Sequence, residues 1–131
     1  MGERKLILLD TDVIIEILDK KSDKGETLMS KIIDSGEYYC TSSINLHEVL
    51  YGIKKYSKDS KLVMQIPVLG YRKSDTELSV DLELSAERSG KAIPRIDVII
   101  AAIAINNGCS LYTLDNHFEV LTDIGLKLFR L

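Results

Sequence analysis

Cysteine is scarce in this sequence, and its scarcity limits the kinds of fold that the chain can adopt. There are two cysteines, Cys40 and Cys109, among 131 residues. A disulfide-stabilised scaffold needs a higher cysteine density, and a zinc motif needs a ligand spacing that these positions lack. Because each cysteine lies in a strand-like run, we predict two buried free thiols rather than a disulfide.

Long hydrophobic runs are also missing. No apolar segment reaches the roughly 20 residues that a membrane-spanning helix requires. Residues 1–5 are too short and too polar to begin a secretory signal peptide. These two absences predict a cytoplasmic protein that makes no use of a membrane.

Positive charge is not in excess, since the formal net charge is −3. This value argues against bulk electrostatic capture of nucleic acid, although it does not exclude nucleic acid as a partner. Acidic residues that line a metal pocket would contribute to this negative net charge. The basic residues, in contrast, occur in clusters along the sequence. Such clusters are usually solvated loops, and the alternative is a rim that contacts phosphates. The basic clusters are Lys20, Lys21 and Lys24, then Lys54, Lys55, Lys58 and Lys61, then Arg72 and Lys73.

The remaining composition is that of an ordinary globular protein, with 45% hydrophobic and 28% charged residues. The length fits one domain over residues 1–131. Strand-like runs at 6–9, 38–41, 66–71, 109–113 and 126–130 alternate with helical patterns, among them 27–34 after a polar loop at 20–24. This alternation predicts an α/β fold with a parallel sheet, in which ligands bind beyond the carboxyl ends of the strands.

Four acidic residues occupy positions where a purely structural role does not readily explain an acidic side chain. Asp10 follows the run at 6–9, and Asp115 follows the run that ends at Leu114. Asp97 opens a helix that is otherwise made of Ile, Val and Ala, and Glu48 lies opposite the hydrophobic stripe of its helix. The parallel-sheet prediction therefore places Asp10 and Asp115 on the ligand-binding edge.

Each acid also has a structural explanation. Asp10 and Asp115 could cap the helices that follow them, and Glu48 could be a solvated surface residue. Asp97 could interact with the helix dipole, but that gains only ~0.3–1 kcal/mol, whereas burying an unpaired carboxylate costs several kcal/mol. If the fold gathers the four carboxylates, they would repel one another without a cation.

The kind of ligand indicates the kind of metal. Carboxylates without a His or Cys cluster suit Mg²⁺ or Mn²⁺ rather than zinc. Such an ion can activate a water molecule and neutralise the charge of a phosphodiester. The four acids therefore predict metal-assisted phosphodiester hydrolysis.

Four motifs resemble those of the PIN-domain ribonucleases, and specifically the VapC-type toxins. The segments that carry the resemblance are 8–15, 43–52, 95–102 and 111–115, the last followed by Phe118. They occur in this order in the sequence, and the resemblance covers nearly the whole chain. The family's acidic quartet maps onto Asp10, Glu48, Asp97 and Asp115 as catalytic and metal-binding residues.

The resemblance implies a single PIN-like nuclease domain, a three-layer α/β sandwich with a five-stranded parallel sheet flanked by helices. It further implies a Mg²⁺- or Mn²⁺-dependent endoribonuclease that acts on RNA, forms a homodimer, and in many members is held inactive by a small antitoxin protein. Thr11, Asp12 and Thr113 match auxiliary positions. His117 departs from the pattern, because members often carry a further acid there, and this argues against a tightly held second metal.

Two alternatives remain open. A housekeeping or degenerate PIN domain could bind RNA or a protein without acting as a toxin. A haloacid-dehalogenase-like phosphatase could use Asp10 as its nucleophile, because Asp10, Asp12 and Val13 fit that family's D-x-D-x-V motif. The chain is short for that family and lacks its later paired-acid motif.

Overall fold

The computed structural model describes residues 5–20 and 22–130, and the side chains of all of these except Asp19 and Lys20. Its strands are β1 (Leu6–Leu9), β2 (Tyr38–Ser42), β3 (Val68–Leu69), β4 (Cys109–Tyr112) and β5 (Lys127–Leu128). Its α-helices are α1 (Thr11–Ile14), α2 (Asp23–Ser35), α3 (Ser43–Lys55), α4 (Lys73–Arg88) and α5 (Arg95–Asn106). A π-helical segment, Ile15–Lys20, continues α1, and 3₁₀ helices span Val63–Gln65 and Asn116–Ile124.

The five strands form one parallel sheet in the order β3-β2-β1-β4-β5, which confirms the predicted fold class. Strands β2 and β3 follow one another on one side of β1, and β4 then lies on the other side of β1. The strand order thus reverses between β1 and β4. Ligands of open α/β sheets bind at this point, beyond the carboxyl ends of the two strands.

Two hydrophobic cores cover the two faces of the sheet. Because side chains alternate along a strand, Leu8 of β1 enters the core with α4 and α5, whereas Ile7 and Leu9 enter the core with α1, α2 and α3. Helices therefore pack on both faces, and the three-layer sandwich is confirmed.

Helix α5 is buried in its middle turns, between Val98 and Ala104, as its apolar composition predicts. Val98 and residues 100–104 are buried, and three of these are alanines that allow close packing. This position holds the N-terminus of α5, and therefore Asp97, in a fixed place relative to the sheet.

The prediction of a polar loop at 20–24 with a helix starting at 27 was wrong. Helix α2 begins at Asp23, because the Ser22 hydroxyl accepts a hydrogen bond from Gly25 N at 3.0 Å and caps it. The lysine cluster predicted at 20–24 lies partly outside the described residues, since Lys21 is not among them.

A side-chain cap defines the start of helix α4. The carboxylate of Asp75 accepts a hydrogen bond from the Arg72 backbone N at 2.8 Å, which starts the helix at Lys73. Asp75 is fully buried and also accepts a 2.8 Å hydrogen bond from Asn106 Nδ2 at the end of α5. One carboxylate thus joins two helices.

The two cysteines are free and buried, as predicted. They lie on β2 and β4, which flank β1 on opposite sides, so a whole strand separates their backbones. Among the described helices, none has the length and apolar character needed to cross a bilayer.

Candidate metal centre

Asp10 lies at the carboxyl end of β1 and is 8% exposed. Its Oδ1 accepts hydrogen bonds from Thr11 N and Asn45 Nδ2, each at 2.9 Å, and its Oδ2 accepts one from Thr113 Oγ1 at 2.6 Å. Burial raises the pKa of Asp10, the three donors lower it, and the charge of Glu48 raises it again. Asp10 does begin α1, as the capping explanation proposed, but donors from α3 and from beyond β4 also hold it.

Asn45 is a part of this site that the sequence analysis missed. It is completely buried at the start of α3, where its Oδ1 accepts a 2.6 Å hydrogen bond from Ser42 Oγ. Its Nδ2 donates to Asp10 Oδ1 and, at 3.0 Å, to Thr11 Oγ1. The available signal was a polar residue on the helix face of Val49 and Ile53, four and eight positions along.

Glu48 is an exposed residue that a hydrogen-bond chain connects to the buried part of the site. Its Oε1 accepts a 2.9 Å hydrogen bond from Thr11 Oγ1, which in turn accepts from Asn45 Nδ2. Glu48 is therefore oriented at the rim, next to Asp10, rather than freely solvated.

Asp97 lies in the first turn of α5, and its side chain is 20% exposed. Burial, followed by the charges of Asp115, Asp10 and Glu48, raises the pKa of Asp97 from 3.8 to about 6, and His117 opposes this shift. Asp97 thus interacts electrostatically with the other three acids. The structure brings together all four residues that the sequence analysis selected.

Asp115 caps the 3₁₀ helix that follows β4. Its Oδ1 accepts a 2.9 Å hydrogen bond from His117 N, as its capping explanation proposed. Its own backbone N donates at 3.0 Å to the oxygen of Thr113, whose hydroxyl donates to Asp10. Thr113 therefore connects the carboxyl end of β4 to Asp10 at the end of β1.

His117 belongs to the site, although the sequence analysis treated it as a departure from the acidic pattern. Its Nδ1 lies 3.2 Å from Asp115 Oδ1 and 3.9 Å from Asp97 Oδ2. One ligand atom from each of these three residues lies within 4.8 Å of the other two. The Asp-x-His spacing at a helix start was the available signal.

Asp12 faces the site as well. Its Oδ2 accepts a 3.1 Å hydrogen bond from Leu114 N, and its buried Oδ1 has no hydrogen-bond partner among the described residues. Burial first, then the charges of Asp10 and Asp115, raise the pKa of Asp12 to about 6. Asp12 is therefore more than a solvated acid in a first helical turn.

These observations fit a divalent cation. Oxygen atoms dominate the set, and one buried carboxylate oxygen has no hydrogen-bond partner among the described residues. Burial first, and then the charges of neighbouring acids, raise the pKa values of Asp12 and Asp97. Such a combination in one location is typical of a functional site rather than of a structural ion-pair network.

Two exposed tyrosines extend from the rim along α3. Tyr51 is 64% exposed and Tyr56 is 69% exposed, and Lys55 Nζ lies 5.6 Å and 5.8 Å from their ring centroids. Tyr51 follows Glu48 by one helical turn. Arg72, which belonged to a predicted basic cluster, instead binds Asp75.

A family model described as the PIN domain matches residues 7–123. Similar solved structures include VapBC2 from Rickettsia felis bound to a promoter DNA fragment, with 21% identity, 95% and 97% coverage of the two chains, and a TM-score of 0.76. FitAcB from Neisseria gonorrhoeae has 25% identity, coverage of 95% and 96%, and a TM-score of 0.77.

The structure of DNA-bound VapBC from Salmonella typhimurium is also similar, with 23% identity and a TM-score of 0.70. The similarity covers 97% of this chain and 98% of that chain. A comparison with curated proteins found no match. The solved structures share the fold over almost the whole chain.

Proposed function

This chain belongs to the PIN-domain family, and we propose that its single domain, residues 1–131, is a Mg²⁺- or Mn²⁺-dependent endoribonuclease. The observation that carries the proposal is the convergence of Asp10, Glu48, Asp97 and Asp115 at the point where the strand order reverses. Acids gathered in this way bind a cation and, through it, a phosphate.

The residues have different roles in the proposed site. Asp10, Asp97 and Asp115 would hold the metal, with Asp12 as an auxiliary ligand through its unpartnered oxygen. When bound, the metal would neutralise phosphate charge and lower the pKa of a water molecule. Glu48 would orient that water and accept its proton, because the Thr11 hydroxyl fixes the carboxylate at the accessible rim.

Two positioning residues orient Asp10 and oppose the rise of its pKa, which burial causes. Asn45 donates to one carboxylate oxygen of Asp10 and Thr113 donates to the other. Hydrogen bonds to a charged carboxylate favour its ionised form, which is the form that binds metal.

The surface of α3 supports a single-stranded nucleic acid as the substrate, and RNA is the one that we propose. Tyr51, Lys55 and Tyr56 offer exposed aromatic faces and a cation within one to two helical turns of Glu48. Single-stranded nucleic acid is bound by this pairing of base stacking with backbone neutralisation. A duplex would not expose its bases to these rings.

Similarity to solved toxin–antitoxin complexes supports a toxin of a VapBC-type pair with a small antitoxin protein as its partner. That this partner inhibits the toxin, and that the toxin forms a homodimer, are parts of the proposal that the family resemblance implies. The phosphatase alternative is not favoured, because three hydrogen-bond donors occupy the oxygens of the proposed nucleophile, Asp10.

The test is RNA cleavage by the purified full chain with Mg²⁺ or Mn²⁺, with EDTA, and with a DNA of the same sequence. Glu48→Gln should lower cleavage about 100-fold or more, because a positioned base contributes about 10²–10⁴-fold. Glu77→Gln, an equally exposed change on α4, is the matched control and should leave cleavage unchanged.

Cleavage that persists in EDTA, or that Glu48→Gln leaves intact, would contradict the proposed chemistry. RNA binding without products would favour the degenerate PIN domain. For the toxin role, induced expression should arrest bacterial growth and the Glu48→Gln variant should not; an active nuclease without growth arrest would indicate a housekeeping enzyme.

A further inference from the structure

His117 adds a nitrogen atom to a site that is otherwise made of carboxylate oxygens. Its imidazole Nδ1 lies between two of them, 3.2 Å from Asp115 Oδ1 and 3.9 Å from Asp97 Oδ2. The same Asp115 oxygen accepts the backbone N–H of His117, so the helix cap sets the position of the imidazole relative to this carboxylate.

The spacing of the three side chains is compatible with one ion. Adjacent ligand atoms of an octahedral ion with bonds of ~2.1 Å lie about 3 Å apart, and opposite ones about 4.2 Å apart. The candidate atoms of Asp97, Asp115 and His117 lie within 4.8 Å of one another. The distances of His117 Nδ1 from the two carboxylate oxygens, 3.2 Å and 3.9 Å, lie between the adjacent and the opposite values.

From this geometry we infer that His117 is a nitrogen ligand of the metal centre, and that it makes the centre select Mn²⁺ and the later first-row divalent metals over Mg²⁺. Mg²⁺ prefers oxygen ligands, whereas imidazole suits transition metals. This inference rests on the proposed function, since it concerns the metal that the nuclease would use.

The competing explanation is that His117 is only an ion-pair and capping partner of Asp115. In that case the hydrogen bond from the backbone N–H of His117 would cap the helix, and the imidazole would make no bond to a metal. The two explanations differ in a spectroscopic property, because only a coordinated imidazole couples its ¹⁴N nucleus to the electron spin of bound Mn²⁺.

The test uses electron spin-echo envelope modulation of Mn²⁺ bound to the untagged full chain. The chain has 2 histidines, so an imidazole signal has only two sources. Wild type should show ¹⁴N coupling, His117→Asp should lose it, and His47→Gln, which changes the other, exposed histidine, should retain it.

Competition of Mg²⁺ against bound Mn²⁺ gives the second readout. Changing the nitrogen ligand to an oxygen in His117→Asp should lower the ratio of Mn²⁺ affinity to Mg²⁺ affinity by about tenfold, a change of the size that metal-site substitutions produce. His47→Gln should leave the ratio unchanged.

Failure of this inference and failure of the proposed function have different signatures. Metal-dependent RNA cleavage without ¹⁴N coupling, or with coupling that survives His117→Asp, would overturn the inference and leave the nuclease intact. Absence of both Mn²⁺ binding and metal-dependent cleavage would overturn the two together.

Discussion

Replacing Asp97 with asparagine should stabilise the metal-free protein while removing its function. The side chain lies among three other acids, and burial together with their charges raises its pKa from 3.8 to about 6. Asparagine has nearly the same shape but carries no charge. The substitution therefore relieves repulsion without creating a cavity.

The size of the effect follows from the pKa. Each tenfold change in acidity is worth about 1.4 kcal/mol, so ionising Asp97 in the folded protein costs about 3 kcal/mol. The side chain is 20% exposed, and solvent screening reduces this value. We expect Asp97→Asn to raise the free energy of unfolding at pH 7.5 by about 1–2 kcal/mol.

The pH dependence has a definite sign. Because the folded-state pKa of Asp97 lies above 3.8, the folded protein binds more protons than the unfolded chain between about pH 4 and 6. The penalty is complete above that window and absent below it. The difference in stability between Asp97→Asn and wild type should therefore shrink as the pH falls from 6 to 4.

Urea unfolding of EDTA-treated protein at pH 7.5 and pH 4 measures the difference, with Asp81→Asn as the control. Asp81 is exposed in the middle of α4, where Asp and Asn have similar helix propensity. Adding Mn²⁺ should then stabilise wild type more than Asp97→Asn, because ligand binding to the folded state adds to its stability.

A variant that is less stable than wild type at pH 7.5, after correction by Asp81→Asn, would refute this reasoning. It would mean that the carboxylate of Asp97 stabilises the metal-free fold instead of opposing it. A difference that is independent of pH would equally exclude ionisation as its cause.

Three further substitutions test other contacts. Asn45→Ala should lower the free energy of unfolding in urea by about 2–4 kcal/mol, because it removes buried hydrogen bonds, one of them to a charge. Gly25→Ala should lower the melting temperature, because the new Cβ would lie 2.2 Å from the carbonyl oxygen of Glu16; Gly52→Ala, with nothing within 4 Å, should not. Asp75→Asn should lower the free energy of unfolding by about 1–3 kcal/mol at pH 7. Burial raises the pKa of Asp75, but its hydrogen bonds lower it overall, so this difference should disappear as the pH falls below about 4.

Much of the fold could be predicted because hydrophobic periodicity is a local property. Strand β1 begins and ends where its apolar run does, and α5 is buried as its composition indicates. The start of α4 at Lys73 could not be predicted, since the carboxylate that caps it is Asp75, which is buried and hydrogen-bonded to Asn106 of another helix. Helix α2 was predicted too short because its first turn is polar.

The candidate site divides in the same way. By itself, the sequence determined that Asp10 and Asp115 follow strands of a parallel sheet, because carboxyl ends of parallel strands share one edge. Glu48 had no such local signal, and its place at the rim became clear only from its hydrogen bond to Thr11.

Only the tertiary structure decided which other groups join these acids. The amide of Asn45 reaches Asp10 across 35 residues, and the Thr113 hydroxyl reaches it across 103. Where the sequence shows a missing acid at His117, the fold brings an imidazole within 3.9 Å of Asp97. Composition and periodicity determine the secondary-structure elements. Contacts between distant residues depend instead on the order of the strands and the packing of the helices. These contacts set the charge and the ligand chemistry of the site.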